Sequence, residues 1–230
     1  MNRDELYSRG PALPPTIKDG RRVRYVAPTD SDAGGTWIAA NEYGLTVCLL
    51  NFYPRDRSAA GGVYESRGNL VVTLAASEHL ADVEAHLSRT DLTIYRPFTV
   101  AAIDPAMTIR VYRWYGGARG TSGASAGLHS VERPAPPISS SSFEPEKVLR
   151  ARARTYAALV GDEPTVERLY AYHTSHAPEP GPYSVCVHRE DGGSRSLTRV
   201  TVAPDEVRMV YRAGSPHEGG EEYVASTPRR

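Results

Sequence analysis

The stretch "HTSH", residues 173–176, sets two imidazoles three residues apart near the expected end of a helix. That spacing puts both rings on one helix face, where they can share a metal ion or complement the carbonyl end of the helix dipole. A metal needs further ligands, and none lies close by in sequence, so the dipole role is favoured and neither a metal nor a cofactor is expected. The chain opens on a second polar cluster, Asn2, Arg3, Asp4 and Glu5. In an extended strand Asn2 and Asp4 share one face and Arg3 and Glu5 the other, so an Arg3–Glu5 surface pair competes with a role in a cleft unless a bulge intervenes. Asn51 closes an apolar run and either caps a turn or presents an amide to a cleft. Gly34 and Gly35 make a tight turn or permit a close backbone approach. The glycine-rich "GGARGTSG" lacks the Lys-Ser/Thr of a phosphate loop. No GxSxG elbow selects a triad from the 7 histidines and many serines.

The bulk numbers exclude several classes. With 27 basic and 27 acidic residues the formal net charge is +0, so no global field favours nucleic acid or an anionic membrane. The arginine bias, with much Ala, Gly and Pro, reads as a GC-rich bacterial genome. The 2 cysteines, Cys48 and Cys186, make no disulfide framework and read as buried thiols of a reducing compartment. No run reaches the roughly 18 apolar residues of a membrane span, and the N-terminus has no signal-peptide core. A cytoplasmic, single-domain protein over 1–230 is expected.

The elements that must position these groups follow from periodicity. Residues 11–21 read as a Pro-rich loop. Strands are expected at 23–28, 36–40 and 45–51, the last two turned at Asn41, Glu42, Tyr43 and Gly44. Ser66 opens one helix and Ser77 a second. Strands "PFTVAAID" and "TIRVYRWY" follow. Residues 116–127 are low-complexity and flexible. A helix over 145–160, started by one of the preceding serines or by Glu144 before Pro145, turns Val148, Leu149, Tyr156, Leu159 and Val160 inward. Another follows Asp162 or Glu163. "PYSVCVHREDGGSRSLTRVTVAP" reads as a hairpin turned at Asp191, Gly192 and Gly193. "EVRMVYR" is a last strand, and a polar tail covers about 214–230. Hairpin-linked strands with helix pairs predict an α+β protein, best accommodated as an αββα four-layer sandwich of antiparallel sheets.

"NRDE" (2–5), "GGTW" (34–37), "NEYGLTVCLLN" (41–51), "SRG" (66–68), "SSSFEPE" (140–146) and "PYSVCVHREDGGSRSLT" (182–198) occur in the order and spacing of one family. The sequence resembles the NRDE family, also called the transport and Golgi organisation protein family. The resemblance implies an N-terminal-nucleophile-hydrolase-like fold, distantly similar to penicillin and bile-salt acylases, and hydrolysis of a linear amide as the ancestral reaction. In that chemistry an N-terminal Cys carries its own base in its α-amine, whose pKa is about 7.7–8.0.

By resemblance Arg3 lies beside the nucleophile, Asp4 partners the amine, and Asn51 is a further site residue. Asn41 and Glu42 are turn formers, and Ser184 and Arg195 line the cleft. Met1 directly precedes the motif where the family has a Cys-bearing strand, and neither Cys48 nor Cys186 has a free α-amine. The resemblance therefore implies a late start, either a misassigned codon or a shortened, non-catalytic protein. The alternative role is non-catalytic binding or trafficking of haem or an acyl-coenzyme A-like amphipathic ligand. For haem, His129, His173 and Cys186 are conceivable axial ligands, and no spacing selects one.

Overall fold

The computed structural model describes residues 1–20, 22–54, 63–117, 127–131 and 134–230. In chain order its elements are β1 (Asn2–Leu6), β2 (Leu13–Asp19), β3 (Arg24–Thr29), β4 (Ile38–Asn41), β5 (Thr46–Asn51), α1 (Arg67–Leu74), α2 (Leu80–Arg89), β6 (Phe98–Ile103), β7 (Ile109–Trp114), β8 (Leu128–Ser130), α3 (Pro145–Leu159), α4 (Val166–Thr174), β9 (Gly192–Val202), β10 (Glu206–Ala213) and β11 (Glu222–Pro228). The protein is α+β, with one sheet ordered β1-β9-β10-β11 and another running β2 to β8 in sequence order. Neighbours in the larger sheet are antiparallel throughout. The chain groups into two compact units. Met1–Pro11, Ala135–Arg199 and Val210–Val224 form the smaller; Ala12–Pro134, Val200–Met209 and Ala225–Arg230 form the larger. No helix among the described residues is long and apolar enough to cross a membrane.

In the larger unit, buried residues of the sheet such as Val47, Leu49, Phe98 and Val100 meet Leu70, Val71 and Leu74 of α1 and Val83 and Leu87 of α2. These helix positions recur three and four apart, which gives each helix one apolar stripe to bury. The turn expected at 41–44 forms around Asn41. Its Oδ1 accepts from the backbone N–H of Tyr43 and Leu45, and its Nδ2 donates to the carbonyls of Ala75 and Ser77. Glu42, also buried, accepts from the Arg24 backbone N–H and pairs with Arg230 at 3.1 Å. Both are turn formers, as read. α2 begins at Leu80 rather than Ser77, because the Asp82 carboxylate accepts from the backbone N–H of Glu78 and His79 and fixes the start there.

Other readings differ from the structure as well. α4 starts at Val166, capped by Thr165 and not by Asp162 or Glu163, because the Thr165 hydroxyl accepts from the Arg168 backbone N–H. Residues 13–19 are not a loop but the edge strand β2, where Pro14 and Pro15 are tolerated at an irregularity between Leu13 and Thr16. The tail expected at 214–230 contains β11, whose side chains alternate in exposure. α3 starts after Glu144 and not after one of the serines, the other start the sequence allows, and its buried face is Val148, Arg152 and Thr155, while Leu149 and Leu159 are each 38% exposed. The expected hairpin has only its second arm, β9. Residues 182–189 make isolated bridges, Gly181 with Val187 and His188 with Gly193, instead of a strand. The low-complexity stretch at 116–127 lies for the most part outside the described residues.

"GGTW" and "SRG" are explained by one contact. A Cβ on Gly35 would lie 2.5 Å from the carbonyl carbon of Gly68, and a Cβ on Gly68 would lie 2.9 Å from the Thr36 nitrogen. The two glycines let the loop before β4 cross the first turn of α1 backbone to backbone, where Thr36 N–H donates to Gly68 O at 3.3 Å. Either Gly35→Ala or Gly68→Ala is expected to cost about 2 kcal/mol, in the range of overpacking a tight contact. Urea unfolding at equilibrium checks this, with wild-type-like midpoints as the contrary result.

Candidate functional site

The chain's first residues are tied down. The Met1 ammonium donates to Thr198 O at 2.7 Å, and β1 pairs antiparallel with β9. The register shifts between Arg3 and Asp4: Arg3 faces Ser196 and Asp4 faces Ser194, so Arg195 is the extra residue of a bulge on β9. Because the bulge lies on β9, side chains along β1 still alternate. Arg3, 8% exposed, pairs with Glu5 at 3.3 Å on one face. Asn2 and Asp4 take the other, so Arg3 and Asp4 do not converge.

Asp4 is the centre of the second face. Its Oδ1 accepts from Ser194 Oγ at 2.6 Å, and Ser194 Oγ in turn accepts from the Val187 backbone N–H at 2.9 Å. Its Oδ2 lies 3.9 Å from Arg152 Nη2. The Asp4 side chain remains 37% exposed, so it is fixed from within and still open to solvent. Asn2 Nδ2 donates to the carbonyls of His173 and Val185, at 2.9 and 3.1 Å, which orients the amide and leaves its Oδ1 buried with no partner among the described residues.

Arg152 holds this face together. Its guanidinium donates to Ser184 O at 3.0 Å, Ser139 Oγ at 2.8 Å, Ser140 O at 3.2 Å and Pro182 O at 3.4 Å. A buried guanidinium survives only when its donors are met in this way. Ser184 is buried, and its Oγ donates to Gly181 O or Cys186 O, so it builds the 181–186 loop rather than lining a cleft. Arg195 stands over the Tyr7 ring at 5.4 Å.

The same loop carries Cys186 and His188 to two other histidines. His176 Nε2 and His188 Nε2 are 3.0 Å apart, and Cys186 Sγ lies 3.9 Å from His188 Nε2 and 3.6 Å from His217 Nδ1. Burial raises the Cys186 thiol, an effect that Ser215 and His217 oppose and the Asp4 charge reinforces. Burial lowers His176, and its two imidazole neighbours lower it further. Sequence spacing pointed to His173 and His176 as a pair. The structure separates them: His173 turns a buried Nδ1 with no partner among the described residues, and its ring stacks edge-on against Tyr172.

In the larger unit, Asn51 is exposed at the end of β5 and donates to Tyr53 Oη at 3.3 Å. His129 meets Tyr115 edge to face. The surroundings of Cys48 desolvate its sulfur and push its pKa up to about 11. Arg152, Ser194, His188 and His217 escaped the sequence reading. A cationic residue on the inward face of α3 was the one available signal, and it was masked by the more apolar Leu149 and Leu159.

Taken as a class, this is an α+β protein with two antiparallel sheets and a carboxylate-centred polar face on the smaller one. A family model described as Transport and Golgi organisation 2 matches residues 1–202, and the chain belongs to that family. No curated protein matches it.

Two outcomes follow. Arg152→Ala is expected to cost about 3 kcal/mol, the scale of breaking a buried charged network, and Arg152→Lys to recover little of it, because an ammonium cannot reproduce the fork of donors. Urea unfolding measures both, and a fully rescuing lysine would contradict the assignment. The second concerns His173, whose pKa burial holds well below the usual 6.5, with the chain's α-ammonium adding to the effect. As pH falls below about 6.5 the unfolded chain takes up this proton before the folded one does. The stability it contributes is thus complete above that pH and declines as pH drops toward the folded pKa. His173→Gln should flatten the fall in melting temperature between about pH 6.5 and 5 relative to wild type; parallel curves would contradict this.

Proposed function

We propose that the chain is a hydrolase-like member of its family, built like the N-terminal-nucleophile amidohydrolases. In this reading the smaller unit binds a linear amide or acyl compound. The observation that carries it is Asp4: the carboxylate of the NRDE motif is fixed by Ser194 and Arg152 and yet open to solvent. A carboxylate so held can orient an amine or accept an amide N–H without reorganising on binding.

In the covalent chemistry of this class the nucleophile is a thiolate whose base is its own α-amine. Cys48 and Cys186 are internal and both thiols are raised, so neither takes that role. The residues named here bind and orient. Two unpaired cysteines suit a reducing, cytoplasmic setting. The rival role, capture of haem or an acyl-coenzyme A-like ligand without turnover, shares the fold and differs in what is bound.

Calorimetric titration of the protein with short N-acyl amides, haem and palmitoyl-coenzyme A, with amine release assayed in parallel, separates the two. Saturable binding of an amide is expected, weakened about tenfold in Asp4→Asn, the worth of about one hydrogen bond to a charged group. Circular dichroism of the variant should be unchanged. Saturation by haem or palmitoyl-coenzyme A alone, equal in wild type and Asp4→Asn, would overturn the reading.

A further inference from the structure

We propose that His176, Cys186, His188 and His217 form a binding site for one divalent late first-row cation, zinc by its ligand type. Each offers one ligand atom, and the four atoms lie within 4.8 Å of one another. They come from three stretches of the smaller unit: the segment after α4, the non-strand loop before β9, and the turn between β10 and β11.

Three of the separations lie close to the edges of a zinc tetrahedron, and the widest, up to 4.8 Å, closes by small side-chain rotations as an ion binds. With zinc–sulfur bonds of about 2.3 Å and zinc–nitrogen bonds of about 2.0–2.1 Å, the edges become about 3.3 Å between nitrogens and about 3.6 Å between sulfur and nitrogen. The corresponding separations here are 3.0 Å for His176 to His188, 3.6 Å for Cys186 to His217 and 3.9 Å for Cys186 to His188. The three ring centroids are 4.4–4.8 Å apart, and one ligand atom of each residue lies within 4.8 Å of the others.

One outer group supports a ligand: Glu218 Oε1 lies 3.8 Å from His217 Nε2, the nitrogen that does not face the cluster, and a carboxylate on the free nitrogen of a ligand histidine is the usual second layer of such a site. Ser215 Oγ lies 2.9 Å from His217 Nδ1, the ligand atom itself, and 3.6 Å from Cys186 Sγ, so its contact with Nδ1 gives way when an ion binds.

Three imidazoles and a thiol are a poor choice for packing alone. When protonated they repel one another; when neutral, one of His176 and His188 donates to the other at 3.0 Å, and the Cys186 thiol is left with only long contacts of 3.6–3.9 Å to His217 and His188. A cation there is bound by the thiolate and three neutral imidazoles and removes both costs. Four protein ligands close the tetrahedron, which marks a structural site rather than an open catalytic one. The ion joins His176 and His188 to His217, which lies 41 and 29 residues further on, as a clasp on the loop that also carries the Asp4 network. The four atoms enclose a space for a bare ion and not for a porphyrin.

The test uses the full chain purified without a histidine tag, stripped with chelator and titrated with cobalt(II), then with zinc(II) in competition. One equivalent of cobalt should give the visible bands of a tetrahedral ion and a near-ultraviolet thiolate charge-transfer band, both removed by zinc. Zinc should also raise the melting temperature. Cys186→Ser should abolish the charge-transfer band. The His217 side chain is exposed enough for His217→Gln to fold, and this variant should weaken binding by at least about 100-fold, the upper end for losing even an outer partner. His173→Gln, outside the cluster, should bind normally. Substoichiometric cobalt without the charge-transfer band overturns the site, as does one-equivalent binding unchanged by His217→Gln.

Discussion

The smaller unit depends on how the backbone of residues 181–188 is satisfied. This stretch has the small and apolar alternation of a strand, yet its polar groups are taken by side chains and by distant backbone. Arg152 takes the carbonyls of Pro182 and Ser184, and Asn2 takes that of Val185. Ser194 Oγ accepts from the Val187 N–H, and Ser175 O accepts from the Cys186 N–H. A buried backbone group must find a partner somewhere. With most of its partners elsewhere, the segment reaches β9 only through short pairings at its end, Ser194 N–H to Val187 O and the bridge of His188 with Gly193, and it folds as a compact loop that aims Cys186 and His188 at His176 and His217.

This constraint links the two polar features of the unit. Ser194 is shared: its hydroxyl donates to Asp4 and accepts from Val187. Arg152 is shared as well, because it pairs with Asp4 and holds the loop. The NRDE carboxylate and the Cys–His cluster are therefore both attached to one loop, residues 182–188, whose backbone Ser194 and Arg152 hold. The Asp4 charge raises the Cys186 thiol for the same reason of proximity. A cation at the cluster would offset that effect by favouring the thiolate.

Where local rules governed, the sequence was legible. The Asn41 turn and strands β3 to β7 of the larger sheet follow from turn chemistry and periodicity. Family motifs were visible in order, and the glycines of two of them proved to be one contact. Legibility failed where a tertiary partner overrode local preference. The 182–189 stretch looked like a strand because its hydrogen-bond partners lie far away in sequence. Arg152 looked like a surface residue because nothing local shows the ring of carbonyls that buries it. His217 stood in what looked like a polar tail, 29 residues after His188, so no spacing could join it to the "HTSH" pair. Asp4 was found through resemblance; its partners were not.

The most direct measurement is amide hydrogen exchange by nuclear magnetic resonance on the wild type and on Ser194→Ala. If side chains hold the 181–188 loop, Val187, Cys186 and His188 are protected together in the wild type, and all three exchange at least about tenfold faster in the variant, while amides of the larger unit keep their rates. Unchanged protection at Val187 and Cys186 after loss of the Ser194 hydroxyl would contradict the account.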